Sequence, residues 1–442
     1  MDWSEFARKA LAVVEAAKPD HAVVLDEGNQ IVIATDREGK SSITSLTNYW
    51  AEYLHAAPGD RDKVFDRIAL AGRLIESDET LDEIRVLLVP RIRPRRYFEI
   101  DVNELSAHVA KKGEPPTIPH YTPLGEHLGI GLAIDRPQHI EYINDATTFG
   151  VPPAELDAIA LTNIDRITKS GLEQVEGGLW VGAWGDDYAV ERMLLPRIFE
   201  GLDLDGDPVV FLPGAEQIFV VGSNDPRALE RALALSDHRL RAPRGLMTFP
   251  FVRRRGAWLP FASRGDLGRE LGRRLAFHLA SAYSVQRPAL EASEAEKGDA
   301  AAFVASVMAV TGEEGELVET IASWGRDVRT LLPRTTLLGV GTLGGSVALV
   351  RWDDVIEICG GLLEPVAGLY PPRWLTKGFP SDEAFARLLE RRVMDSTAPR
   401  EGVDVDEAAG APSRAMARPR RAAVLVVIAV LVAAVVGWAL TR

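Results

Sequence analysis

Two short stretches hold most of the side chains with chemical potential. Arg91, Arg93, Arg95 and Arg96, with Tyr97 and Phe98 beside them, form the densest basic and aromatic patch of the chain. Arginine presents a planar fork of donors that matches a phosphate or carboxylate, and the rings can stack. The same residues would also suit a solvated linker whose arginines pair with acidic surface. In the second stretch Trp180, Trp184, Asp186, Asp187, Tyr188 and Arg192 fall where a strand pattern gives way to a helical one. Adjacent carboxylates at a strand end could act as acid and base or hold a metal. Alternatively, Asp186 caps the helix and Asp187 is favoured by its dipole. Asp186 and Asp187 are thus the catalytic candidates, and Arg91, Arg93, Arg95, Arg96, Tyr97 and Arg192 the candidates for binding a ligand or partner.

The remaining motifs read as structure. Gly339, Gly341 and Gly344 have the spacing of a dinucleotide-binding loop, but Gly345 to Trp352 reads as a strand where that loop needs a helix. Asp203, Asp205 and Asp207 resemble the opening of a calcium loop, yet the glycine is displaced and the twelfth position is Gly214. The eight histidines include no pair three or four apart, and Cys359 is the single cysteine, set in an apolar run. No nucleophile elbow or phosphate loop is present. Neither a metal nor a cofactor is expected.

The 442 residues carry a formal charge of -14, and five arginines with no acid follow Gly410, so the body before it is more acidic still. That argues against nucleic acid as a partner. One cysteine excludes an intramolecular disulfide and fits a reducing compartment. From Ala422 to Leu440 the chain runs 19 residues without a charge, preceded by Arg414, Arg418, Arg420 and Arg421. This pattern predicts a transmembrane helix that anchors the protein by its tail in the inner membrane, with the N-terminal body in the cytoplasm.

The elements that must position the candidates follow from periodicity. Trp3, Phe6, Ala10, Val13, Val14 and Ala17 predict one apolar helical face; three short strands follow between Ala22 and Ser45, then helices over Leu46 to Leu54 and Asp60 to Ser77. Val89 to Arg96 and Lys111 to Pro123 read as a join. Strands are expected at Leu128 to Asp135, His139 to Ile143, Gly178 to Trp184, Pro208 to Pro213, Gln217 to Gly222, Met247 to Arg253 and Ala257 to Phe261. Helices are expected at Pro153 to Lys169, Asp187 to Phe199 and Pro226 to Arg241. Leucines at 267, 271, 275 and 279 predict another helix, leading into a β-rich part with strands over 301–311, 316–323, 335–340 and 346–351. A last helix spans Ser381 to Val393, and Ser396 to Arg421 reads as a flexible tether.

Several of these segments resemble the bacterial YtpQ-like family of unknown function. The matching stretches are SLTNYWAEYL (45–54), LLVPRIRPRRYFE (87–99), LGIGLAIDRPQHIEYIN (128–144), AIALTNI (158–164), GDDYAVERMLLP (185–196), GDPVVFLP (206–213), FVVGSNDP (219–226) and FVRRRGAWLPF (251–261). The resemblance covers residues 1 to about 262 and supplies no activity. It does place the Arg91 and Asp186 stretches inside family segments. The order of elements in the first part also looks like the small folds of type III secretion chaperones, by fold analogy alone.

The expectation is an α+β protein with mixed or antiparallel sheets, packed helices, a β-rich third module and one C-terminal transmembrane helix. Its divisions are 1–88, 89–263, 264–395, the tether 396–421 and the span 422–440. Functionally it reads as a tail-anchored binding or scaffolding protein with a protein partner and the membrane, held through Ala422 to Leu440. The alternatives are an enzyme acting on an anionic substrate and a chaperone-like module for a client. An enzyme needs the Arg91 and Asp186 stretches to converge on one cleft.

Overall fold

The structure, a computed structural model, describes residues 1–27, 30–37, 41–72, 79–101, 119–136, 140–240, 245–311, 317–341, 346–393 and 401–404. It is α+β with mixed sheets, and the chain divides into two units, Met1–Phe261 and Ala262–Arg442.

The first unit opens with helix α1 (Trp3–Ala17), which starts where the Asp2 carboxylate accepts the Glu5 amide at 2.9 Å. Its buried stripe of Phe6, Ala10 and Val14 packs on a three-stranded meander, β1 (Ala22–Asp26), β2 (Ile31–Thr35) and β3 (Ser41–Ser45). Helices α2 (Thr47–His55) and α3 (Arg61–Gly72) close this core. The Phe6 ring lies 5.1 Å from those of Trp50 and Phe65 and 5.4 Å from that of Tyr53. Such ring contacts fix the orientation of α2 and α3. They thereby place Tyr49, which packs at the margin of this core, beside Glu52 and Arg67.

After a short helix, α4 (Leu81–Ile84), comes a sheet made of β4 (Leu88–Pro94), β5 (Tyr121–Leu124), β6 (Leu128–Asp135) and β7 (Ile140–Tyr142), with β6 paired to all three others. Alternation along β4 and β6 makes its two faces different. Leu88 and Ile92 stand opposite Ile134 and Ile130, and with Leu132 the Leu88 side packs under α5 (Pro153–Ile167). On the other face Arg91 stands opposite Gly131 and Arg93 opposite Gly129. Residues 89–94 are therefore a strand and not a join. Two prolines and two arginines disguised it, because an edge strand tolerates proline and the buried charge is met from another segment.

A six-stranded antiparallel sheet follows, made of β8 (Glu173–Glu176), β9 (Leu179–Gly182), β10 (Pro208–Gly214), β11 (Gln217–Gly222), β12 (Phe251–Arg254) and β13 (Ala257–Pro260). Its order is β13-β12-β10-β11-β9-β8, and α6 (Pro226–Leu240) packs on β10 and β11. The helix expected over Asp187 to Phe199 is absent. That segment makes turns and two single 3-10 turns, Glu191–Leu194 and Pro196–Phe199, because Pro196 interrupts the pattern and Arg192 leaves the helical path to reach its partners.

The second unit begins with α7 (Gly265–Ala295), twice as long as the leucine spacing suggested. Two sheets follow. One orders β14 (Phe303–Val304), β17 (Thr330–Pro333), β21 (Arg373–Thr376) and β20 (Leu363–Pro365). The other orders β19 (Val347–Arg351), β18 (Leu337–Gly341), β16 (Leu317–Gly325), β15 (Met308–Thr311) and β22 (Glu401–Asp404). The pairs β14 with β17 and β16 with β18 are parallel. Trp324, Leu338, Val340 and Val350 form the core with α8 (Trp352–Cys359) and α9 (Asp382–Glu390). β18 and β19 pair antiparallel on either side of residues 342–345, so a strand and no helix follows the glycine series.

Two expectations for the C-terminal part are corrected. Residues 401–404, taken for tether, pair with β15 over four residues. Among the described residues no helix is long and apolar enough to cross a membrane, so the fold as described has no transmembrane helix and the tail-anchored membrane description is withdrawn. The physical reason is that among the described helices α7 alone is long enough to span a bilayer, and it carries charges along its length. The run Ala422 to Leu440 and most of the tether lie outside the described residues.

Candidate functional site

Arg91 and Asp186 are 95 positions apart, yet their stretches meet. Arg91, Arg93 and Tyr97 line one cavity of about 950 Å³ together with Asp186, Asp187 and Tyr188. Tyr49, Glu52 and Arg67 from α2 and α3, and Asp135, Arg136 and Tyr142 from the β6 to β7 hairpin, complete its polar wall. A second cavity of about 590 Å³ shares Glu52, Arg67, Asp187 and Ala215 with it and adds His55 and Arg239.

The cleft face rests on two glycines. A Cβ at Gly131 would come within 2.8 Å of the Phe98 ring, and one at Gly129 within 2.8 Å of Tyr121 and 2.9 Å of Phe98. Only glycine leaves that slot, so Phe98 lies fully buried across the strand, stacked on Tyr121 with centroids 4.7 Å apart. Phe98 in turn anchors the π turn Tyr97–Asp101, which presents Tyr97 to the cavity with its ring 5.6 Å from that of Tyr142. Arg95 donates Nε to Glu99 at 2.5 Å, and the Tyr121 hydroxyl donates to the same carboxylate. Burial and this carboxylate push the Tyr121 phenol up to about 12. Arg95 and Arg96 do not line the cavity.

Most charges here are already matched. Arg192, fully buried, donates Nη1 to Asp186 Oδ1 at 2.6 Å, Nη2 to Oδ2 at 2.7 Å and Nε to Thr168 Oγ1 at 2.9 Å, with its plane 4.5 Å from the Trp184 ring. Asp186 also accepts the Tyr188 amide at 3.0 Å. Burial would raise its carboxyl, but Arg192 and that amide outweigh it and hold Asp186 below the ordinary carboxylate range. Both carboxylate oxygens are engaged by the Arg192 fork. Its expected place as the cap of an α-helix is corrected: it caps a turn and neutralises an arginine.

Arg91 is 2% exposed, donates Nη1 to the Asp187 carbonyl at 2.8 Å and lies 5.0 Å over the Tyr188 ring. Its Nε is 3.6 Å from Glu191 Oε1, which accepts the Ile92 amide of the free β4 edge at 3.1 Å. Glu191 is wholly buried and does not line the cavity. Burial raises its carboxyl, with Arg91 and Arg93 pulling the other way. Sequence reasoning missed it, although a Glu-Arg pair inside the apolar run Ala189 to Leu195 signals buried charges that must find partners. Tyr49, Glu52, Arg67, Asp135 and Tyr142 were missed too, being scattered over three other segments.

What remains unspent is specific. Arg67 pairs with Glu52 at 2.6 Å, Arg136 with Glu79 at 2.5 Å and Glu141 at 2.9 Å, and Tyr188 bonds Asp135. Arg93 uses one nitrogen, Nη1, which donates to the Ile92 carbonyl at 2.8 Å and lies 3.9 Å from the buried Glu191 carboxylate. Its other donors, the buried Arg67 Nε and the buried Tyr142 hydroxyl have no hydrogen-bond partner among the described residues. Among those residues no group of three or more His, Cys, Asp or Glu could hold a metal. Comparison of the chain with family models, with curated proteins and with solved structures found no match.

Proposed function

We propose that the Met1–Phe261 unit is a binding module whose cleft receives an anionic group of a small ligand on Arg93, with Arg67 contributing from the facing helix. The observation that carries this is the convergence of two arginine- and aspartate-bearing stretches on one cavity where, among the described residues, N–H groups of Arg93 and the Nε of Arg67 are left without hydrogen-bond partners. An arginine fork with spare N–H groups is matched by a phosphate or carboxylate. A catalyst is not favoured, because Asp186 is committed to Arg192 and Glu191 is sealed from the cavity.

The test is the melting of the full chain in rising inorganic phosphate and in citrate, at constant ionic strength. Both should raise the midpoint in a saturable way, as any ligand selective for the folded state does. Arg93→Gln should abolish the rise while leaving the anion-free midpoint close to that of the parent. A parent midpoint indifferent to both anions would overturn the reading.

A further inference from the structure

We infer that the ligand of this cleft is a nucleoside monophosphate, an anion attached through a sugar to a planar heteroaromatic ring. This rests on the anion-binding reading above and adds to it the identity of the rest of the ligand.

Three observations carry it. First, Tyr49, Tyr97, Tyr142 and Tyr188 line the same cavity as Arg93. A bare phosphate or a small aliphatic acid needs no aromatic wall, whereas a base stacks on tyrosine through its π face. The wall is also built with care: the Gly129 and Gly131 slot seats Phe98, which positions Tyr97 beside Tyr142.

Second, the Tyr142 hydroxyl is buried without a hydrogen-bond partner among the described residues, while its neighbour Tyr188 is tied to Asp135. A hydroxyl stripped of water and left unmatched is costly. The edge of a base, carrying donors and acceptors side by side, would satisfy it.

Third, the volume and charge fit one phosphate and no more. At about 950 Å³ the cavity lies near the top of the range for small-molecule sites, far beyond what phosphate alone fills. Glu52, Asp135, Asp186 and Asp187 line it too, and they would repel a second and third phosphate. The same carboxylate wall suits ribose hydroxyls as donors.

Calorimetry on the full chain with AMP, GMP, CMP and UMP, and with ribose 5-phosphate and inorganic phosphate, tests this. At least one nucleotide should bind about tenfold or more tighter than ribose 5-phosphate, the increment that stacking supplies. Tyr97→Leu, which keeps bulk and removes the aromatic face, should reduce that nucleotide to the level of ribose 5-phosphate and leave ribose 5-phosphate itself unchanged. Tyr142→Phe should narrow the preference among bases. Nucleotides that bind no tighter than ribose 5-phosphate, or whose advantage survives Tyr97→Leu, would overturn the inference. If phosphate binding still depended on Arg93, the anion site would stand without it; if no probe bound, both would fall.

Discussion

Arg192 and Asp186 form a forked pair, two parallel bonds of 2.6 and 2.7 Å, that ties the 3-10 turn back onto the loop after β9. Arg192 is fully buried, whereas the Asp186 side chain keeps about a third of its surface, 32%. The cation therefore depends on this one carboxylate for its charge.

Asp186→Asn should accordingly be nearly as harmful as Asp186→Ala, each costing about 3 kcal/mol, the scale for stranding one member of a buried pair. A simple cap would behave otherwise, since asparagine caps as well as aspartate. Denaturant unfolding of both variants decides it: a silent asparagine variant would refute the charge argument.

The pH dependence should carry the mark of Glu191. Burial raises its carboxyl, so the folded state holds that proton more firmly than the unfolded chain does. The stability this contributes is complete below the ordinary glutamate range, about pH 4, and is lost as pH rises through the raised value. Asp186, held low, acts with the opposite sign: its contribution is lost as pH falls through its depressed value. Glu191→Gln keeps an acceptor for the Ile92 amide and removes the titration. Relative to this variant the parent should weaken as pH rises above the ordinary glutamate range, by at most about 1.4 kcal/mol per unit. Unfolding curves of both proteins across that rise, if parallel at every pH, would contradict it.

Gly131→Ala should cost about 1 to 3 kcal/mol by overpacking against Phe98 and, by shifting Tyr97, should weaken nucleotide binding while leaving inorganic phosphate binding unchanged. Adding Phe98→Leu should recover part of the stability but not the binding. Stability fully retained in the single variant would show that the slot has slack.

In the second unit Arg373 is buried, and among the described residues no carboxylate is bonded to it. It donates to Gln286 Oε1 at 2.7 Å and to the Ala305 and Leu331 carbonyls at 2.8 and 3.1 Å, and burial lowers it to about 10. Arg373→Lys should be destabilising by about 2 kcal/mol or more, because one ammonium cannot reach three acceptors set by a planar fork. A lysine variant with the parent's melting midpoint would disprove that need.

Legibility in the sequence followed the physics of periodicity. Leu128 to Asp135 and Gln217 to Gly222 match β6 and β11 residue for residue, since long apolar strands leave a plain signature. Strand β4 and the turn after Asp186 did not read true for a shared reason. Arg91 and Arg192 look like solvent-facing residues until their partners, Glu191 and Asp186, are placed in space, and tertiary pairing reverses the local inference. The α8 helix was hidden by brevity: Trp352–Cys359 is two turns, stabilised by packing and not by propensity. The two candidate stretches were individually visible, but Tyr49, Arg67 and Tyr142 contribute one side chain each from separate segments, which no local pattern reveals.

Strand β22 gives the second unit a property that belongs to crowded solutions and not to the isolated fold. By pairing Met308 to Thr311 with Asp404 to Glu401, the chain consumes the backbone donors and acceptors on the outer side of β15. An open ladder there would invite a second copy to continue the sheet, the common route to edge-to-edge aggregation. The borrowed strand is only four residues long, so the new margin it presents is short. A chain cut before Glu401 would expose an apolar strand instead, and its solubility would fall with concentration even if every contact of the remaining fold were kept.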